Sequence, residues 1–282
     1  MFWRDIPTVR RRTLVWPREH GAWGILSVAL VTGAAAGFSS LATLPQLLWL
    51  AFAATAAFSL RTPLENSLPA SPFRARNRAE WRWLTSAMVV YTFACAFAVG
   101  MLWHEGVLRL IWKPAIVAGA LFALQAMVKR AGHAGRLPSE IIGAFGLALV
   151  ALASWTVAAG RFDFEAITLW LINGLFATNQ ILYVQLRIRE VRDPKEASYF
   201  GSKLLFLVGE VVTVLILFAA WRARLLPWFA LLAFLPILVR GGAWSFRRRT
   251  QPLQIHRLGK SELAHAILFG LLVILSFRLR VL

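Results

Sequence analysis

Trp16-Pro17-Arg18-Glu19-His20-Gly21-Ala22-Trp23-Gly24-Ile25-Leu26 places three ionisable side chains directly ahead of an apolar run that continues to Phe38. A run of that length, with a tryptophan at each side of its charged entrance, is a candidate membrane crossing. About 17–22 apolar residues cover roughly 30 Å of hydrocarbon, and aromatic side chains collect where the bilayer meets water. The same pattern recurs along the chain. Nine candidate spans are read, Ala22–Phe38, Leu44–Leu60, Trp83–Trp103, Trp112–Val128, Ile141–Ala159, Phe164–Leu186, Leu204–Trp221, Leu225–Val239 and Leu263–Phe277. The eighth is the weakest, with Pro227 and Pro236 near its ends.

The bulk properties agree with this reading. The 282 residues are 59% hydrophobic and 13% aromatic, with a mean hydropathy of +0.63, too apolar for an ordinary soluble domain of this length. A formal charge of +18 would suggest nucleic acid in a soluble chain, so the positions of the cations have to decide. With nine crossings, 24 of the 31 Lys and Arg residues fall on one side of the membrane and 7 on the other. The positive-inside rule then expects a cytoplasmic N-terminus and an external C-terminus, in the cytoplasmic (inner) membrane. Membrane lipids are the expected partners, and nucleic acid is not. Eight further spans after the first argue against a cleaved signal peptide. The single cysteine, Cys95, lies within the third span, no Cys/His metal spacing occurs, and no cofactor is expected.

An internal similarity links the two halves. Pro17-Arg18-Glu19 followed by Gly21-Ala22-Trp23-Gly24-Ile25 opens span one, and Pro138-Ser139-Glu140 followed by Gly143-Ala144-Phe145-Gly146-Leu147 opens span five. Leu60-Arg61 with Glu65 and Leu186-Arg187 with Glu190 close spans two and six, and the two matches have offsets of 122 and 126 residues. The expectation is an all-α polytopic bundle forming a single transmembrane domain over 1–282. A parallel four-helix repeat would run over 17–130 and 138–240, followed by a final helix at 262–278.

Nine spans, this repeat and polar connections after spans two and six resemble the architecture of the UbiA superfamily of intramembrane prenyltransferases. In that superfamily the two connections carry motifs of the type Asn-x3-Asp-x3-Asp that hold Mg²⁺ on a prenyl diphosphate. The register here is Asn179-x3-Tyr183-x3-Arg187, with Arg61-x3-Glu65 at the other connection, so the acids are replaced and no metal ligand set is expected. The sequence itself looks like the YwiC-like family of bacterial integral membrane proteins, through Pro17–Trp23, Arg61-Thr62-Pro63-Leu64-Glu65 and Tyr183-Val184-Gln185-Leu186-Arg187-Ile188-Arg189.

The charged residues each have a structural and a functional reading. Glu19, Glu80, Glu140 and Glu262 stand at helix entrances, where the positive end of the macrodipole stabilises a carboxylate by about 0.3–1 kcal/mol, and Ser139 or Ser261 would serve as N-caps. Glu65 and Glu190 lie near helix C-termini, where capping does not explain them. Local pairs with Arg61 and Arg187 do, or else Arg61, Arg187 and Arg189 form a clamp for phosphate or carboxylate that the two acids orient. Glu210, about 10 Å along a helix from Lys203, falls within the hydrocarbon layer, where acids are costly and by default functional. Asn179, Tyr183 and Arg187 share one helix face. Glu19, His20 and Glu210 are the candidate catalytic residues. Arg18, Arg61, Glu65, Glu140, Asn179, Tyr183, Arg187, Arg189, Glu190 and Glu262 are the candidate substrate-binding residues.

The expectation is a cytoplasm-facing polar pocket for an anionic isoprenoid or lipid phosphate, in a divergent UbiA-like prenyltransferase or prenyl-lipid binder. A transporter or ion-coupled carrier and a non-catalytic membrane assembly factor are the alternatives, and whether the chain is an enzyme stays open.

Overall fold

A computed structural model of the chain describes residues 7–17, 20–68, 71, 73–132, 135–192, 197–246 and 255–281. Among these residues there is no strand. The helices in chain order are α1 (Thr8–Val15), α2 (His20–Gly37), α3 (Leu44–Ser67), α4 (Arg78–His104), α5 (Leu108–Lys129), α6 (Arg136–Ala159), α7 (Phe164–Arg192), α8 (Ala197–Arg222), α9 (Trp228–Leu232), α10 (Leu235–Phe246) and α11 (Ile255–Val281).

Seven stretches among the described residues are long and apolar enough to cross a membrane, Leu41–Ser67, Arg78–His104, Leu108–Lys129, Arg136–Ala159, Phe164–Glu190, Lys203–Arg222 and Arg257–Leu279. The first and eighth expected spans correspond to shorter apolar segments, Gly21–Gly37 and Trp228–Trp244. The expected ends were drawn where apolar residues stop. Most helices instead run a turn or more past that point, because backbone hydrogen bonding continues wherever propensity and local pairs support it. The large apolar side chains Val89, Val90, Phe93 and Phe97 on α4 and Val208, Val211, Leu215 and Phe218 on α8 are exposed. Contiguous outward apolar faces of this kind suit lipid rather than water. The chain is a polytopic membrane-helix protein.

The eighth span is corrected most. Pro227 precedes α9, the helix breaks at Ala233-Phe234, and a second helix starts at Leu235-Pro236 and continues to Phe246. Proline lacks the N–H that a helix interior needs but is tolerated in a first turn, so Pro236 marks a beginning where the sequence reading placed an end. Arg240, assigned to the following loop, therefore lies in the middle of a helix.

The residues fall into two compact units. One comprises the chain through Trp23 together with Ser39–Trp112, and the other comprises Gly24–Phe38 and Lys113–Leu282. In the first unit α3 and α4 pack together and α1 lies on both. The last turn of α1 buries Leu14 and Val15 with Leu84. Asn66 Nδ2 donates to the carbonyls of Thr13 (3.3 Å) and Leu14 (3.1 Å). Arg10 donates from Nε and Nη2 to Glu80 (2.9 Å each) and from Nη2 to the carbonyl of Arg74 (2.8 Å). The Glu80 hydrogen bond raises the Arg10 guanidinium further above its already high ordinary pKa. Asn77 caps α4 through Oδ1, which accepts from the Glu80 amide at 2.8 Å.

In the second unit α6 and α7 form a hairpin that turns at Gly160, whose φ of 70° is the left-handed conformation glycine adopts cheaply. Asp163 Oδ1 then accepts from the Ala166 amide (3.0 Å) and from the Trp155 indole (2.8 Å), capping α7 and tying it to α6. The α2 residues of this unit seat Gly33 on Ala151 and Ser154, where an added methyl group would meet the Ala151 carbonyl. Gly37 follows on Trp155, so this small-residue face serves packing within the chain. The core between helices is aromatic, with Phe176 stacked on Phe269 at 4.0 Å and Phe234 edge-on to Phe269 at 5.4 Å.

Candidate functional site

Within the second unit, α7, α8, α10 and α11 contribute polar side chains to one buried cluster. Asn179, Tyr183 and Arg187 follow each other at four-residue intervals on α7, so they share a face, and Asn179 and Tyr183 are buried. Arg240 on α10 lies over the Tyr183 ring, 4.0 Å from its centroid, and bonds Glu262 of α11 through Nη1. The Asn179 amide hydrogen-bonds the Glu210 carboxylate of α8, on which Arg240 also acts electrostatically. Phe206 and Trp244 complete an aromatic trio with Tyr183, at centroid distances of 5.8–6.3 Å. Gly241 lets α10 approach α8 closely, since a methyl group there would run into Glu210 Oε1 and the Phe206 ring.

The cluster is costly as it stands. Arg240 and Glu262 keep only 12% and 13% of their side-chain surface exposed. Buried atoms without a protein hydrogen bond gather here, namely Asn179 Oδ1, Arg187 Nε, Glu210 Oε1, Arg240 Nε and Nη2, and Glu262 Oε2. Each buried polar atom left unmatched costs about 1–3 kcal/mol, more when charged. Six such atoms in one packed cluster are groups that a bound polar molecule or water would match. Arg240 Nε and Nη2 form the side-on edge of a guanidinium, the edge that holds a carboxylate or phosphate with two parallel hydrogen bonds.

The other expected residues are placed as follows. Arg187 Nη1 pairs with Glu190 at 3.4 Å, and Arg189 is exposed. Glu65 and Glu190 are helical, within α3 and α7, and do not sit in loops after them. Arg61 Nε bonds Glu65 at 2.8 Å in the first unit, the local pair that four-residue spacing favours. Arg18 and Glu19 lie outside the described residues, as does the side chain of His20.

The capping account is corrected at two positions. Glu140 is beyond the first turn of α6, where Ser139 Oγ bonds the Arg136 carbonyl and caps nothing. Glu140 instead takes Gln185 Nε2 (2.8 Å) and Arg136 Nε (3.1 Å). α11 begins at Ile255, so Ser261 and Glu262 are interior and Glu262 serves Arg240. In both cases the helix starts earlier than its apolar stretch. Glu80 does sit in a first turn, and its carboxylate also takes the Arg76 amide at 2.8 Å and Arg10. Asn173 accepts from Thr32 Oγ1 at 3.3 Å and ties α2 to α7.

Arg240, Trp244, Phe206 and Gly241 were not singled out in the sequence. The available signal was Pro236, which at the second position of a helix puts Arg240 and Trp244 one turn apart on the same side. Among the described residues, no group of three or more His, Cys, Asp and Glu side chains is arranged to hold a metal ion.

No curated protein and no solved structure matches the chain. The family model described as YwiC-like protein matches residues 16–155, a stretch that contains Pro17–Trp23 and Arg61–Glu65 and ends in α6. That segment of the chain, residues 16–155, is YwiC-like.

Proposed function

We propose that the α7–α8–α10–α11 cluster binds the phosphate-bearing head group of an amphipathic lipid, whose tail, isoprenoid or acyl, lies along the apolar helices. The observation that supports this reading is the buried Nε/Nη2 edge of Arg240, with Arg187 Nε as a second donor. On this reading the chain is a prenyl-lipid binder or divergent UbiA-like enzyme. Nine crossings, the repeat of 17–130 on 138–240 and a cytoplasmic opening of the site belong to the same proposal. If a reaction takes place, Glu210 is the residue placed for proton transfer, with Asn179 orienting it.

A lipid-phosphate site built on guanidinium groups works without divalent metal. Purified protein is expected to bind labelled prenyl monophosphate or diphosphate equally with and without EDTA. Arg240→Gln should weaken that binding by about tenfold to a hundredfold, the range of one or two charge-assisted hydrogen bonds. Absence of binding, a requirement for Mg²⁺ or indifference to Arg240→Gln overturns the reading.

A carrier is the second reading. The break between α9 and α10 favours it, because discontinuous helices beside an intramembrane acid are a feature of transport sites. Uptake into proteoliposomes that Glu210→Gln abolishes would select it.

A further inference from the structure

The cluster is not built for an anion alone. Its buried unmatched atoms include both donors, Arg187 Nε with Arg240 Nε and Nη2, and acceptors, Glu210 Oε1, Glu262 Oε2 and Asn179 Oδ1. A phosphate satisfies the first set and offers the second set only more acceptors.

Resting on the head-group reading above, we propose that the ligand is a zwitterion whose phosphodiester meets the Arg240 edge and Arg187 Nε and whose primary ammonium meets Glu210 Oε1, Asn179 Oδ1 and Glu262 Oε2. An ammonium carries three N–H donors and no acceptor, matching three orphaned oxygens. A quaternary ammonium has the charge but no N–H, and a glycerol head group has hydroxyl donors but no charge. An ethanolamine-type head group is therefore selected over both. Entry requires α10 to move, because Gly241 closes directly on Glu210. The preceding break at Ala233-Phe234 and the adjacent Gly242 make α10 the helix able to do so.

The test is competition for a fluorescent-tailed phosphatidylethanolamine on the purified full-length protein in detergent. Competitors are unlabelled phosphatidylethanolamine, phosphatidylglycerol, phosphatidylcholine and free phosphoethanolamine. Phosphatidylethanolamine is expected to compete at least tenfold better than either other lipid. Glu210→Gln, nearly isosteric, should erase that preference and let phosphatidylglycerol compete equally, and Glu210→Asp should retain part of it. Free phosphoethanolamine competing at similar concentrations identifies a soluble ligand of the same chemistry, and its failure beside successful lipid identifies the membrane as the source. If phosphatidylglycerol competes as well as phosphatidylethanolamine on the unaltered protein, and Arg240→Gln weakens both, the zwitterion is overturned and the phosphate reading stands. If Arg240→Gln affects neither lipid, the phosphate reading falls as well.

Discussion

Arg240 shows how one residue's environment reverses its meaning. As a loop cation it would be one of many serving topology. Packed on Tyr183 and joined to Glu262, it is half of a largely buried ion pair, and such pairs cost much more to break than they contribute when made. Arg240→Leu is expected to destabilise the protein by about 3–5 kcal/mol, the scale seen when one buried partner is removed, and adding Glu262→Leu should recover much of the loss. Thermal unfolding in detergent followed by circular dichroism checks both. Glu80 is the corresponding residue of the first unit, holding Arg10 of α1 and the Arg76 amide together. Glu80→Ala should raise amide exchange throughout α1 while leaving the middle of α4 protected, as measured by hydrogen–deuterium exchange.

At the scale of elements, short-range chemistry decides where helices stop and small residues decide how near they come. Asp163 caps α7 and holds the Trp155 indole, so Asp163→Ala should cost about 1–2 kcal/mol by the scale of lost N-caps. Two glycines on α2 separate packing from propensity. Gly33 touches Ala151 and Ser154, and Gly24 has open space around it. Gly33→Ala should destabilise by about 1–3 kcal/mol through overpacking, and Gly24→Ala should be neutral or stabilising by up to about 1 kcal/mol. Equal effects of the two substitutions in thermal unfolding would rule out the close α2–α6 contact.

For the whole molecule, the number of crossings is the quantity that matters, because it assigns every loop to a side. Seven helices have the length and composition to cross, and Gly21–Gly37 and Trp228–Trp244 are short for the task. If both also cross, the cation asymmetry of nine spans holds. Single cysteines at positions 74 and 129, in a Cys95→Ala background, should then react with membrane-impermeant reagent only from the cytoplasmic side, and cysteines at 161 and 224 only from outside. Labelling of single cysteines at 224 and 257 from the same side would remove the Trp228–Trp244 crossing, and labelling at 12 and 40 from the same side would remove the Gly21–Gly37 crossing.

Apolar run length and the distribution of arginine and lysine determined by themselves that this chain is a helical membrane protein, because a bilayer core accepts little else. The family segments at 17–23 and 61–65 were equally legible, being local strings of residues, and so was the α7 face of Asn179, Tyr183 and Arg187, which four-residue spacing alone defines. The partners of that face were not legible. Arg240 meets Tyr183 and Glu262 from helices tens of residues away, and Glu210 meets Asn179 from a third. Sequence periodicity reports which side of a helix is polar, and only tertiary packing decides which polar sides are pressed together and which of their atoms are left without a match.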